Sequence, residues 1–130
     1  MATSRGVEWL AGLLEGEGCF IRQFGRARRY TPVIAVTMTD RDVIEAAQEL
    51  FLTIGGRHIR IRSRYLASGK IAHELRISGL PAAKLMVAIL PFMGKRRSQT
   101  IQNILDGWSP KVYRAAIAFK SELDRTQRTF

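Results

Sequence analysis

Cysteine is almost absent from this chain: Cys19 is the single one in 130 residues, so no disulfide forms within it. Only His58 and His73 accompany it, too few soft ligands for a structural zinc site. A free thiol with neither disulfide nor zinc points to a reducing, intracellular setting. Long apolar runs are missing too. Trp9–Leu14 is too short for a secretory leader and runs into Glu15, and no stretch approaches the roughly 20 apolar residues of a membrane span. Acid is scarce, with 11 Asp and Glu against 21 Lys and Arg for a formal charge of +10. That excess favours a polyanionic partner, DNA or RNA ahead of an anionic membrane surface.

An apolar fraction of 46% and a charged fraction of 25% suit one packed domain over residues 1–130 rather than a disordered tail. Residues 7–17 read as a helix with Trp9, Leu10, Leu13 and Leu14 on one side. Gly12 and Gly16, four apart, share a helix face; each costs roughly 1 kcal/mol relative to Ala, which a helix accepts where another backbone comes close. Two strands follow over 18–38 around a polar connection, Gly25–Tyr30. Asp40 reads as the N-cap of a helix carrying Val43, Ala47, Leu50, Phe51 and Ile54 up to Gly55-Gly56. His58–Tyr65 alternates: Ile59 and Ile61 point one way, while His58, Arg60, Arg62 and Arg64 point the other. A turn at Ala67-Ser68-Gly69 leads to a return strand with Ile71, Leu75 and Ile77 on its apolar side, where His73 also falls. Pro81 opens a helix that Pro91 breaks. A further helix carries Ile101, Ile104 and Leu105, and a last one is expected over about 110–125.

The fold class is therefore α+β, in the order α-β-β-α-β-β-α with extra C-terminal helices. Charge is segregated upon it. Residues 18–39 hold four arginines and no acid, and residues 50–105 hold ten basic residues and one acid, Glu74. An ordinary solvated face mixes signs, so the segregation favours nucleic acid. An arginine row on an antiparallel sheet fits a β-ribbon in the major groove, where it meets phosphates and guanine O6/N7. The candidate DNA-binding residues are Arg22, Gln23, Arg26, Arg28 and Arg29 in the first hairpin and Arg60, Arg62, Arg64, Lys70 and Arg76 in the second.

Against this basic background stands Leu10-Ala11-Gly12-Leu13-Leu14-Glu15-Gly16-Glu17-Gly18. Its two carboxylates sit where a helix ends, the end whose dipole disfavours negative charge. An external cation is thus expected there, and a hard divalent ion takes carboxylate and carbonyl oxygens.

The nine residues, with the element order, resemble the LAGLIDADG homing endonucleases, Glu15 and Glu17 standing for the two aspartates of the name. The resemblance covers about residues 7–108 and is to the single-motif type. It implies a saddle-shaped, four-stranded antiparallel sheet that grips double-stranded DNA. It also implies a homodimer whose motif helices pack through small residues, here Ala11, Gly12 and Gly16. By motif position Glu17 and the Gly16 carbonyl match the metal ligands, and Glu15 the acid with the more structural role. Mg²⁺ is the implied cofactor, with Mn²⁺ able to substitute and Ca²⁺ binding without supporting cleavage. In Pro91-Phe92-Met93-Gly94-Lys95-Arg96-Arg97-Ser98-Gln99, either Lys95 or Arg96 matches the basic residue that approaches the active site; an arginine there stabilises charge but donates no proton. Thr37, Thr39 or Asp40 could take the place of a polar residue near the end of the second strand. The implied function is site-specific cleavage of both strands of a long, near-palindromic site, leaving 3′ overhangs, in intron or intein homing. The same fold also serves as an RNA-splicing maturase acting on intron RNA, or as a non-cleaving DNA binder.

Overall fold

The computed structural model describes residues 5–25 and 29–108. Helix α1 (Val7–Glu17) leads into strands β1 (Gly18–Phe24) and β2 (Tyr30–Met38). Helix α2 (Arg41–Gly55), strands β3 (Arg62–Tyr65) and β4 (Ile71–Ser78) and helix α3 (Leu80–Ile89) follow. A 3-10 turn at Leu90–Phe92 and helix α4 (Lys95–Asp106) complete the described chain. The α-β-β-α-β-β-α order read from the sequence is the observed one; the helix expected over 110–125 lies outside the described residues.

The four strands form one antiparallel sheet in the order β1-β2-β4-β3. One face is covered by the helices. Phe20, Ile34, Val36, Leu75 and Ile77 pack there against Leu10 and Leu14 of α1, Ile44, Leu50 and Phe51 of α2, and Leu85, Met86 and Ile89 of α3. At roughly 1.5–3 kcal/mol for each large apolar side chain taken fully out of water, this layer dominates the stability and sets the rotation of every helix. Helix α2 stops where expected: Gly56 is in the left-handed region (φ +80°) and its N–H returns to the Leu52 carbonyl.

Four expectations are corrected by the packing. The α1 residues that enter the core are Leu10, Ala11 and Leu14, while Trp9 and Leu13 are only half-buried. Ala11, expected in a dimer interface, is 1% exposed against its own core. In α2, Ile44 rather than Val43 is buried, one step round the helix. The second hairpin is shorter than its alternation suggested, because only Arg62–Tyr65 pairs with β4. Residues 58–61 leave the ladder: Ile59 and Ile61 pack on the core, and Gln48 Nε2 donates to the Ile59 carbonyl at 2.8 Å.

At the junction of α1 and β1, Gly18 closes the helix with its N–H on the Leu14 carbonyl. A Cβ there would stand 2.7 Å from that carbonyl oxygen and 3.0 Å from the Leu14 Cα, and this backbone cannot move without shifting the helix. Gly18→Ala is expected to lower the free energy of unfolding by about 1–3 kcal/mol, read in urea titration. Unchanged stability would show that the junction is loose.

Candidate active site and nucleic-acid interface

Glu15 and Glu17 lie two residues apart at the end of α1 and have different surroundings. Glu15 Oε1 accepts the backbone N–H of Gly94, the N-cap of α4. A carboxylate at that position faces the positive end of the α4 dipole. Glu15 Oε2 is 3.5 Å from Arg97 Nε, an ion pair without hydrogen-bond geometry. Arg97 also donates from Nη1 to the Gly18 carbonyl at 2.7 Å and lies over the Phe20 ring at 5.7 Å. The cation required by the C-terminal end of α1 is therefore supplied internally for Glu15. Glu17 is exposed and makes no hydrogen bond or ion pair among the described residues.

No basic residue lies in the last turn of α1. The terminal carbonyls of a helix lack intrahelical partners, and Gly16 contributes one of them. Exposed carboxylate and free carbonyl oxygens together suit a hard divalent ion. Among the described residues no three acidic, histidine or cysteine side chains converge on one point. This end of the chain thus supplies part of a coordination sphere, leaving room for waters, phosphate oxygens or a second copy.

The sheet face away from the helices carries Cys19, Ile21 and Gln23 from β1 and Thr31, Val33, Ala35 and Thr37 from β2. From β4 it carries Ala72, Glu74, Arg76 and Ser78, and from β3 Arg62 and Arg64, as the register of facing pairs dictates. Small residues on the central strands leave the long side chains of their neighbours to form the surface. Where residues 58–61 peel from β4, a basin of about 660 Å³ opens, lined by Arg57, His58, Arg60, Arg62, Arg76 and Gln23 among others, with no acid in its wall. Arg76 Nη2 donates to Gln23 Oε1 at 3.4 Å across the face.

The structure brings together Gln23, Arg60, Arg62 and Arg76 of the expected interface. Arg29, Arg64 and Lys70 are exposed outside the basin, and Arg26 and Arg28 lie outside the described residues. Arg22 is corrected: it stands on the helix side, because alternate strand residues face opposite ways. Its Nη2 donates to the Asn103 carbonyl at 2.9 Å and its guanidinium lies 5.3 Å from the Tyr30 ring. Lys95 and Arg96 are the exposed first residues of α4, beside the Gly94–Glu15 contact. Of the polar residues ending β2, Thr37 is on the open face, one step past the Val36–Gly18 pair, while Asp40 is the N-cap of α2. Gly12 and Gly16 are exposed, and a Cβ at either would meet nothing within 4 Å in this chain.

Arg57, His58 and Arg97 were not among the candidates. Arg57 falls between the Gly55-Gly56 stop and the expected strand, while His58 was placed on the basic side of that strand without being taken as a DNA contact. Arg97 had a legible signal: stepping back four residues from Ile101 along the apolar face of α4 lands on it.

A four-stranded antiparallel sheet with helices on one side, a bare basic face on the other and an acidic helix end at its margin defines the homing-endonuclease fold class. The chain belongs to the LAGLIDADG family: the model of the LAGLIDADG-like domain matches residues 7–86. The homing endonuclease I-CvuI, in complex with DNA that is not cleaved in 2 mM Mg, is similar at TM-score 0.54 and 18% identity, over 91% of this chain and 79% of its own. The I-CvuI complex with its own target in 2 mM Ca gives 0.53 and 18% over the same shares. The LAGLIDADG meganuclease I-AabMI, bound to uncleaved DNA, gives 0.52 and 19% over 74% of this chain and 33% of its own. At these identities the likeness is one of fold. No curated protein matches the chain by sequence. No helix among the described residues is long and apolar enough to cross a membrane.

The two glutamates should separate in a stability measurement. A double-mutant cycle of Glu15→Gln and Arg97→Met is expected to give a coupling of about 0.5–1.5 kcal/mol, reduced by the partial exposure of the pair. Glu17→Gln is expected to change unfolding by less than about 0.5 kcal/mol. Zero coupling for the first pair would remove Arg97 as the internal counterion.

Proposed function

We propose that this chain is a divalent-metal-dependent, site-specific endonuclease for double-stranded DNA, of the intron or intein homing type, acting as a homodimer. The observation that carries the reading is the free carboxylate of Glu17 at the margin of a basic sheet face. A protein that only held DNA would gain nothing from a carboxylate turned toward phosphates.

In this reading the open face lies in the major groove of one half-site, with Arg60, Arg62, Arg76 and Gln23 reaching phosphates and base edges and Arg29, Arg64 and Lys70 adding backbone contacts. Glu17 and the Gly16 carbonyl hold the cation. A bound Mg²⁺ supplies activation of water and stabilisation of the leaving oxygen in phosphodiester hydrolysis, and Mn²⁺ has the same oxygen preference. Lys95 or Arg96, at the start of α4, stabilises charge on the phosphate. Glu15 and Arg97 keep the helix end in place without touching substrate.

One chain carries one such helix end, so cutting both strands takes two. The exposed strip of α1 offers Gly12 and Gly16 flanked by half-buried Trp9 and Leu13, a notch able to admit a second helix backbone. Two-fold symmetry then sets one Glu17 on each strand and makes the target near-palindromic, with staggered cuts leaving 3′ overhangs. RNA affinity without DNA cleavage would instead indicate a maturase, and sequence-selective retention without cutting a DNA binder.

The test is incubation with a randomised duplex library in Mg²⁺, and in Ca²⁺ in its place, followed by sequencing of the cut ends. One long near-palindromic motif cut only in Mg²⁺ is expected; intact DNA under both conditions contradicts the enzyme. For the dimer, Gly12→Leu is expected to halve the solution mass measured by light scattering while leaving the monomer folded, since the position is open within the chain. An unchanged mass would move the interface elsewhere.

A further inference from the structure

The open face of the sheet carries a single acid among the described residues, Glu74 on β4. Its neighbours make it unusual. Arg62 stands directly across from it on β3 and Arg76 two residues along β4, yet Glu74 forms no ion pair within 4 Å with any described residue. Instead the Thr37 hydroxyl on β2 donates to Glu74 Oε2 at 3.5 Å, which leaves Oε1 unengaged. The one side-chain amide oxygen on this face among the described residues, Gln23 Oε1, already takes a hydrogen bond from Arg76. The face thus offers N–H donors from Arg62, Arg64, Arg76 and Gln23 and one charged acceptor.

A carboxylate carried into the major groove repels phosphates unless it accepts a hydrogen from a base edge. The strongest such partner is the N4 amino group of cytosine, which a glutamate accepts from in the major groove. The geometry points to Glu74 as a specificity-determining residue that reads one cytosine per half-site, with Thr37 orienting its carboxylate. The inference rests on the DNA reading proposed above. The cross-strand row of Thr37, Glu74 and Arg62 lies at the α1 end of the face, whereas Gln23 and Thr31 lie at the other end of β1 and β2. The cytosine therefore falls nearer the centre of the target than the bases under Gln23.

The test is a binding selection from randomised duplex DNA in Ca²⁺, run on the full chain, Glu74→Gln and Glu74→Ala. The parent is expected to select a cytosine at one position of each half-site. Glu74→Ala should lose about tenfold to a hundredfold of that discrimination. Glu74→Gln should shift the same position toward adenine, whose N6 and N7 a glutamine amide matches. Retention of every other selected position shows that both variants are folded. If both variants keep the parent's base preferences and bind all sequences more tightly, Glu74 is only a repulsive charge and the inference is overturned while the DNA reading stands. If the parent itself selects no sequence, the DNA reading fails and the inference with it.

Discussion

The contact on which the site depends is that between Glu15 and the start of α4. A carboxylate at the C-terminal end of a helix is in the wrong field, and here that field is answered by the opposite end of another helix and by Arg97. The same arginine holds the Gly18 carbonyl, so the helix end, the first strand and α4 are joined at one point. Glu17 hangs from the residues between these fixed ends. Its position is set without using its own side chain, which remains available for chemistry.

A second constraint is the division of labour between the two faces of the sheet. The helix side is closed by apolar contacts around Phe20, Ile34, Leu75 and Ile77. The other side is left to arginines standing above small central residues such as Val33, Ala35 and Ala72. The departure of residues 58–61 from the ladder deepens this face into a basin. A strand kept in full register would have given a flatter, shallower surface. The hydrogen bond from Gln48 to the Ile59 carbonyl, a contact of the core side, therefore shapes the exposed basic surface.

Much of this was legible in the residues. The glycines and apolar residues of 10–18 announced the helix and its end, and period-two alternation announced the strands. What was not legible depended on phase or on distance along the chain. Ala11 and Gly12 are equally small, and only the packing of Leu10 and Leu14 decides which of them turns inward. Arg22 and Gln23 are both polar residues of one strand, and the register alone assigns Arg22 to the helix side and Gln23 to the open face. The pairing of Glu15 with Arg97 joins residues 82 apart, which local pattern does not report, although the apolar face of α4 marked Arg97 as inward. The hairpin residues 58–61 alternate like a strand because the core demands it of Ile59 and Ile61, whether or not the backbone pairs.

The central claim is that the two motif glutamates have separate duties, Glu15 structural and Glu17 chemical. Its most direct test is single-turnover cleavage of the selected target in Mg²⁺ by Glu17→Gln beside the parent, with DNA affinity measured for both in Ca²⁺. The account predicts undiminished affinity and no cleavage by the variant. Cleavage at the parent's rate would contradict it and would take Glu17 out of the reaction.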